Sequence, residues 1–322
     1  QRKMQRPRSE DASEEEALCQ ARTNRSGSVS YLRLLKKGCQ WCCRAFCGII
    51  FVGLYCWLTL NGYFYVVLGT WGPELWDAGS PGSQRGSRQM ALMLVLLLYH
   101  VVATLMYWSY FRCVCSDPGR VPEDELVAYQ AWLALNWSGD DVGEPWSMCY
   151  QCERRRPPRA HHCAICGNCI MRFDHHCPWI NNCVGKANHR FFLQFLTYTC
   201  MFCFFTASSL SNYAGSSMFA VDLKLGKQFG WAKVFLVGYD GIVSMGIVVG
   251  IVLVGFVSYH LWMLICGFTQ LECIQWAMRC FPQDGFNYGC CNNLREVMGP
   301  SAIRWILPIA QLTPRRRVNP GC

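Results

Sequence analysis

The sequence predicts an α-helical integral membrane protein with four transmembrane helices and a cytosolic two-zinc cysteine-rich domain between the second and third. Three observations carry that prediction. Hydrophobic residues make up 52% of the 322-residue chain and charged residues only 16%, against about 25% charged in an ordinary soluble domain. The mean hydropathy is only +0.11, so the apolar residues are gathered into blocks rather than spread evenly. The 23 cysteines sit in a chain too long and too apolar for a small secreted disulfide scaffold, which leaves metal binding, thiol chemistry or lipidation.

Residues 1–44 form a cytosolic N-terminal arm, largely disordered, because its Arg, Glu, Ser and Gln show no apolar periodicity over residues 1–30. The chain opens at Gln1 rather than Met, which leaves room for residues before it, and no cleavable signal pattern opens it. Cys39, Cys42, Cys43 and Cys47 crowd the first membrane entry, where juxtamembrane cysteines suggest S-acylation or serve as small apolar filler.

Four charge-free runs follow: Ala45 to Leu68, Gln89 to Phe111, Phe191 to Tyr213 and Gly241 to Phe268, of 24, 23, 23 and 28 residues. A bilayer core about 30 Å thick needs roughly 20 helical residues, so each is long enough to span. Residues 45–111 thus hold transmembrane helices 1 and 2, and residues 191–268 helices 3 and 4. Of the 30 Lys and Arg, 25 fall in 1–44, 112–190 and 269–322 and only 5 in the two other connections. The positive-inside rule places both termini and the 112–190 segment in the cytosol. The sequons at Asn24 and Asn136 are then on the wrong side for glycan. In the C-terminal segment 269–322, the apolar run Ser301 to Leu312 is too short to span and is expected at the interface. Cys322 is the last residue, so there is no prenylation box, and no internal repeat is evident.

The chemistry is concentrated in the stretch from Cys149 to Cys183, within a domain of about 147–190. It holds Cys149, Cys152, Cys163, Cys166, Cys169, Cys177 and Cys183 with His161, His162, His175 and His176. Cys149-x-x-Cys152 and Cys163-x-x-Cys166 have the spacing that lets two thiolates meet one tetrahedral zinc, and the cytosol keeps thiols reduced. Two tetrahedral sites need eight ligands. Two sites of three cysteines and one histidine use six of the seven cysteines, and one thiol is left over. Cys177 is the best candidate for it, in Asp174-His175-His176-Cys177. In an extended segment side chains alternate, so His175 and Cys177 share a face and His176 takes the other. His176 can then turn to metal while His175 takes or stabilises the thiol proton of a nucleophile. Asp174 can orient His175 only if the chain turns locally, since a flat strand directs it away. The alternative at this point is that Asp174 is a turn residue and Cys177 one more ligand.

The run Asp174 to Gly185, with Cys149-x-x-Cys152 and the segment His162 to Asn188, resembles the DHHC protein S-acyltransferases, the palmitoyltransferases. Asp117-Pro118-Gly119 looks like the family's DPG motif. Thr269-Gln270-Leu271-Glu272 is similar to its TTxE motif with Gln270 in place of the second Thr, and Asn293 to Gly299 resembles its C-terminal Asn-to-Gly motif. The resemblance implies two structural zinc ions, one held by Cys149, Cys152, His162 and Cys169 and the other by Cys163, Cys166, His176 and Cys183. It implies that Cys177 attacks the thioester of palmitoyl-CoA or another long-chain acyl-CoA, with His175 as base and Asp174 orienting it. The chain then passes to accessible cysteines of membrane-associated proteins. A long acyl chain is costly to hold in water, at about 0.8 kcal/mol per methylene, and Phe192, Phe195 and Phe202 are candidates to line its path between helices, with Trp179 at the mouth. The basic stretch Arg154, Arg155, Arg156 and Arg159 offers attraction for CoA phosphates or anionic headgroups, and Arg159 is taken as a CoA contact. Glu272 and Asn293 are expected to brace the C-terminal segment. The partners implied are acyl-CoA, protein substrates and the lipid bilayer, with no nucleic acid. Family habit points to endomembranes, the Golgi before the ER or plasma membrane. The competing class is a membrane-anchored zinc-binding adaptor without transferase activity, which has no use for Cys177 once eight ligands are assigned.

Overall fold

The computed structural model describes residues 48–71, 85–124, 147–211, 239–277 and 286–309. Cys39, Cys42, Cys43, Cys47, both sequons and the end of the Ser301 to Leu312 run lie outside them.

Four helices are long and apolar enough to cross a membrane. Helix α1 spans Gly48–Leu68 and widens into a π turn over Tyr65–Trp71. Helix α2 is Arg85–Cys115, α3 is His189–Ser211 and α4 is Tyr239–Ile265. The spans differ from the charge-free runs at their ends, and local chemistry accounts for it. Helix α2 runs past Phe111 until Asp117-Pro118-Gly119. There Pro118 has no N–H to continue a helix, and the Asp117 carboxylate accepts the backbone N–H of Gly119 and Arg120 at 2.7 and 2.8 Å. Helix α4 stops three residues before Phe268. Gly267 takes the left-handed conformation (φ +79), its N–H bonds Leu264 O, and the Phe268 N–H bonds Met263 O at 2.8 Å, a Schellman ending. A Cβ at 267 would lie 2.7 Å from Phe286 O.

Helix α3 is the centre of the bundle. Most of its residues are buried, whereas α4 and α2 direct rows such as Val248, Ile251 and Val252, or Leu94, Leu97 and Leu98, outward. That is the inverse of a soluble protein and is what lipid requires. Without a hydrophobic drive between helices in lipid, close packing and hydroxyl bonds hold them, each bond worth about 0.6 kcal/mol. Tyr55 meets Thr199 at 3.2 Å between α1 and α3, Tyr99 meets Thr206 at 3.1 Å between α2 and α3, and Thr59 meets Tyr107 at 2.6 Å between α1 and α2. Gly246 and Gly250 make one side of α4 flat, so α3 approaches to within contact. A Cβ at 246 would meet Cys203 O at 3.1 Å.

Between α2 and α3 the chain makes three two-stranded antiparallel hairpins: β1 (Ser147–Cys149) with β2 (Arg154–Arg156), β3 (His161–Cys163) with β4 (Asn168–Ile170), and β5 (His175–Cys177) with β6 (Asn182–Val184). Three-residue strands bury too little to stand alone. The segment after α2 straps them, since Val121 N–H bonds Cys169 O at 2.9 Å and Met171 N–H bonds Gly119 O at 2.8 Å.

After α4, short helices α5 (Gln270–Ala277), α6 (Cys290–Met298) and α7 (Ala302–Ile306) fold back on the hairpins and the start of α3. Asn293 donates to Ile265 O at 2.8 Å and accepts from Tyr288 N–H at 2.9 Å, tying α6 to the end of α4. Gln194 and Tyr198 on α3 donate to carbonyls of α7, at 2.9 Å for Arg304 O and 2.6 Å for Ile306 O. Ile303, Trp305 and Ile306 of α7 stay exposed.

Candidate active site and metal centres

Two quartets of donors converge in the hairpins. Cys149, Cys152, His162 and Cys169 place all four ligand atoms within 4.8 Å of one another, and Cys163, Cys166, His176 and Cys183 do the same. The strand register explains it. His162 stands directly opposite Cys169, and His176 directly opposite Cys183, and such pairs point to the same face. Each pair then faces the Cys-x-x-Cys turn of the hairpin before it. The sulfurs of Cys152 and Cys169 are 3.7 Å apart and those of Cys166 and Cys183 3.2 Å, too far for a disulfide near 2.05 Å. Around one tetrahedral ion with bonds of about 2.3 Å, sulfurs stand about 3.8 Å apart. Three thiols and one imidazole suit zinc, and both clusters could bind metal.

The quartets share one spacing, Cys-x2-Cys-x9-His-x6-Cys, and every member of the second lies 14 residues after its counterpart in the first, as in 163 − 149 and 176 − 162. The expectation of no internal repeat is therefore corrected. The repeat is short and is written in ligands rather than in apolar residues, so a search for apolar periodicity passes over it. His161 belongs to neither quartet.

Asp174, His175 and Cys177 lie beside the second quartet and outside it. Strand β5 directs His175 and Cys177 to one face, and Asp174, just before the strand, is turned back. Its N–H bonds Val184 O at 3.0 Å, and its Oδ2 accepts the His175 Nδ1–H at 2.8 Å. The local turn that a flat strand would have denied is present. Oδ1 accepts the backbone N–H of Gln270 at 2.9 Å. Gln270, which departs from the TTxE pattern that the sequence resembles, thus reaches Asp174 through its main chain. Burial alone would raise the Asp174 carboxyl, but His189 and His175 outweigh it and hold Asp174 well below the usual carboxylate range. Burial disfavours a charged His175, yet hydrogen bonds with Asp174 and Cys177 override this and push it up to about 9. With Nδ1 on Asp174, the other ring nitrogen is the one left for the Cys177 sulfur. The arrangement can hold a thiolate beside an imidazolium.

Cys177 is buried to 6% exposure in the same apolar cluster as Tyr110, Cys113 and Phe192. Pro178–Ile180 forms a single 3-10 turn whose Ile180 is fully buried, and Tyr110 OH donates to Trp179 O at 3.0 Å. Asn182 donates to Cys113 O at 3.0 Å and Ser116 O at 2.8 Å, so it caps carbonyls that the end of α2 leaves unpaired. These residues fix the hairpin that bears Cys177 to helix α2. Asn182 and Tyr110 carry no sequence signal beyond residue type, since the contacts join positions nearly 70 residues apart.

Phe192, Phe195 and Phe202 are buried and face the bundle rather than lipid. Phe192 lies 5.1 Å from the His175 ring, Phe195 5.2 Å from Tyr110 and 5.4 Å from Tyr55, and Phe202 5.2 Å from Tyr99, between centroids. Trp179 is 44% exposed at the rim, edge-on to Phe51 at 5.0 Å.

The expectation for Arg159 is corrected. Its side chain is 7% exposed and gives two bonds of 2.7 Å to Glu272, itself 2% exposed, with a third of 2.8 Å to Gly267 O. A buried guanidinium so engaged does not meet a soluble phosphate. It fastens the hairpins to the end of α4. Glu296 completes the junction, 2.6 Å from Lys186 and 3.4 Å from Arg172. Burial would raise its carboxyl, but Arg172, Lys186 and Arg159 hold it down at about 2. Arg172 moves the other way from its usual value, lowered by burial and by Arg159 more than Glu296 raises it, because three cations here share two glutamates.

Residues 143–277 match the family described as DHHC palmitoyltransferase. The chain is similar to the Arabidopsis thaliana protein named "Probable protein S-acyltransferase 13", with 29% identity over 255 residues covering 77% of this chain and 80% of that one. It is similar to human "Palmitoyltransferase ZDHHC20", with 26% identity covering 67% of this chain and 63% of the relative. Rat "Palmitoyltransferase ZDHHC15" matches at 26% identity over 67% and 68% of the two chains.

Proposed function

The domain at residues 143–277 belongs to the DHHC palmitoyltransferase family, and we propose that this protein is a protein S-acyltransferase that works through a thioester on Cys177. The observation that carries the reading is the Asp174–His175 bond of 2.8 Å beside a cysteine that neither metal quartet uses and that borders the apolar core of the membrane helices.

In the first half-reaction the Cys177 sulfur attacks the thioester carbonyl of a long-chain acyl-CoA. A new carbon–sulfur bond forms, the bond to the CoA sulfur breaks, and CoA thiolate leaves with the proton that His175 holds. In the second, His175 takes the proton of an acceptor thiol on a membrane-associated protein. That sulfur attacks the acyl carbon, and Cys177 leaves as thiolate. This is nucleophilic catalysis in two steps. Asp174 fixes the His175 ring and stabilises its charge. Cys149, Cys152, His162 and Cys169 would hold one zinc and Cys163, Cys166, His176 and Cys183 the other. With four protein ligands each, the ions serve to fold the hairpins. Phe192, Phe195 and Phe202 accept the acyl chain, with Trp179 at its entry. The hairpins face the cytosol, where acyl-CoA resides, and the protein works in endomembranes, the Golgi foremost.

The test is transfer of label from palmitoyl-CoA to the purified chain in detergent, wild type beside Cys177→Ser. Hydroxylamine-sensitive label on the wild type alone is expected. Absence of label from folded wild-type protein holding two zinc ions would refute the transferase and favour an adaptor.

A further inference from the structure

Helix α4 carries a histidine that the mechanism above does not use. His260 is 1% exposed, and neither ring nitrogen has a hydrogen-bond partner. An ionisable side chain inside a membrane span faces the bundle interior for a reason, and a buried polar group without a partner is costly. His260 faces the catalytic group. One ring nitrogen of His260, one of His189 and a carboxylate oxygen of Asp174 lie within 4.8 Å of one another, all three residues buried. The His260 ring is 6.0 Å from that of His175 and 5.3 Å from that of Phe192.

Two histidines and a carboxylate suggest a metal, but His189 speaks against one. Its Nδ1 lies 3.0 Å from Arg172 Nη1. A guanidinium only donates, so Nδ1 accepts and a neutral ring carries its hydrogen on Nε2. That nitrogen, also buried and without a partner, presents a hydrogen rather than a lone pair. Arg172 itself adds a fixed positive charge beside the cluster. The groups suit an oxygen that accepts from His189 and gives to Asp174, and one water can bridge polar atoms that lie beyond hydrogen-bond reach but within about 5 Å.

Resting on the transferase reading, we propose that a buried water joins Asp174 to His260 and His189, which makes His260 a positioning residue for the Asp174–His175 pair. Asp174 already accepts from His175 and from Gln270 N–H. The water supplies a further donor to the carboxylate, and His260 anchors that water to α4. Rotation or displacement of α4 then loosens the carboxylate that orients the base.

The test uses the full chain in detergent and reads the single-turnover rate of thioester formation on Cys177 from palmitoyl-CoA. His260→Phe keeps the ring packing and removes both nitrogens, and His260→Leu removes both nitrogens with a smaller, non-aromatic side chain should phenylalanine not fold. Because His260 lies outside both metal quartets, the zinc content should not fall, while the rate should drop about tenfold or more, the usual weight of a hydrogen bond to a charged group. His260→Gln retains a donor and an acceptor and should recover most of the rate. Rates for the apolar variants within about twofold of wild type would overturn the proposal, as would a glutamine variant no faster than they are. Failure of the wild type itself to form a thioester would refute the transferase reading instead.

Discussion

Replacing Glu272 by Gln tests whether the C-terminal junction supports the site or merely lies near it. The substitution leaves Arg159 buried with one full charge removed from its side. Arg159 keeps Gly267 O at 2.8 Å and has Glu296 at 3.8 Å, so compensation is partial. Breaking a pair this dry costs about 3–5 kcal/mol. Arg159→Met should cost a similar amount, because it leaves Glu272 with only Thr269 N–H at 2.8 Å. Changing both, Arg159→Met with Glu272→Gln, removes both charges and should be less damaging than the sum by about 2 kcal/mol or more. Activity should follow the same order. The turn that holds Glu272 also presents Gln270 N–H to Asp174 at 2.9 Å, so a loosened turn withdraws a donor from the Asp174 carboxylate. Thermal midpoints in detergent and rates of thioester formation for the four proteins complete the cycle. Additivity within about 0.5 kcal/mol would refute the coupling. Unchanged rates in a destabilised Glu272→Gln would refute the link to Asp174.

Acid should weaken the same junction. Glu296 is held at about 2 against an ordinary 4.5, so its contribution is complete above pH 4.5 and lost as pH falls toward 2. That amounts to about 3 kcal/mol, and Glu296→Gln should flatten midpoint against pH over that window. Asn182→Ala strips the bonds to Cys113 O and Ser116 O from the α2 terminus and removes the acceptor of the Cys183 N–H, and should cost about 2 kcal/mol or more and slow thioester formation. Gly246→Leu puts atoms where Cys203 O stands 3.1 Å from a Cβ, so α4 must move from α3 at a cost of about 1–3 kcal/mol, read as a lowered midpoint.

The four spans and the two Cys-x-x-Cys turns were legible because each follows from a local rule, run length for the helices and ligand spacing for the turns. Which histidine and third cysteine join each turn came only with the family resemblance. The ends of the spans were misjudged by up to four residues, as at Phe111 against Cys115, because helix ends depend on caps that a hydropathy run does not contain. The buried phenylalanines of α3 could be named but not oriented, since in a span that is apolar all round nothing distinguishes the face toward Tyr110 from one toward lipid. Arg159 misled for the opposite reason. A run of arginines reads as a surface patch, and only the return of the chain 113 residues later brings Glu272 against it. His260 was visible as the one ionisable group in the last run, yet its nearness to Asp174 belongs to the tertiary structure alone.

The hairpins also place Cys177 in a series. Cys149, Cys163 and Cys177 each end the first strand of a hairpin, 14 residues apart, and three places further on stand Cys152, Cys166 and Ile180. Cys177 therefore occupies the position at which a third metal knuckle would begin, and the chain has an isoleucine where that knuckle needs its second sulfur. The Ile180 side chain is fully buried in the helix-bundle core, so membrane packing anchors this turn as metal would anchor the other two. Isoleucine in place of a second cysteine both leaves the Cys177 sulfur outside the metal quartets and packs its turn against the membrane helices. On the proposed function, the free sulfur and its place beside the membrane helices are then a single property of this chain, and a cysteine at 180 would compromise both together.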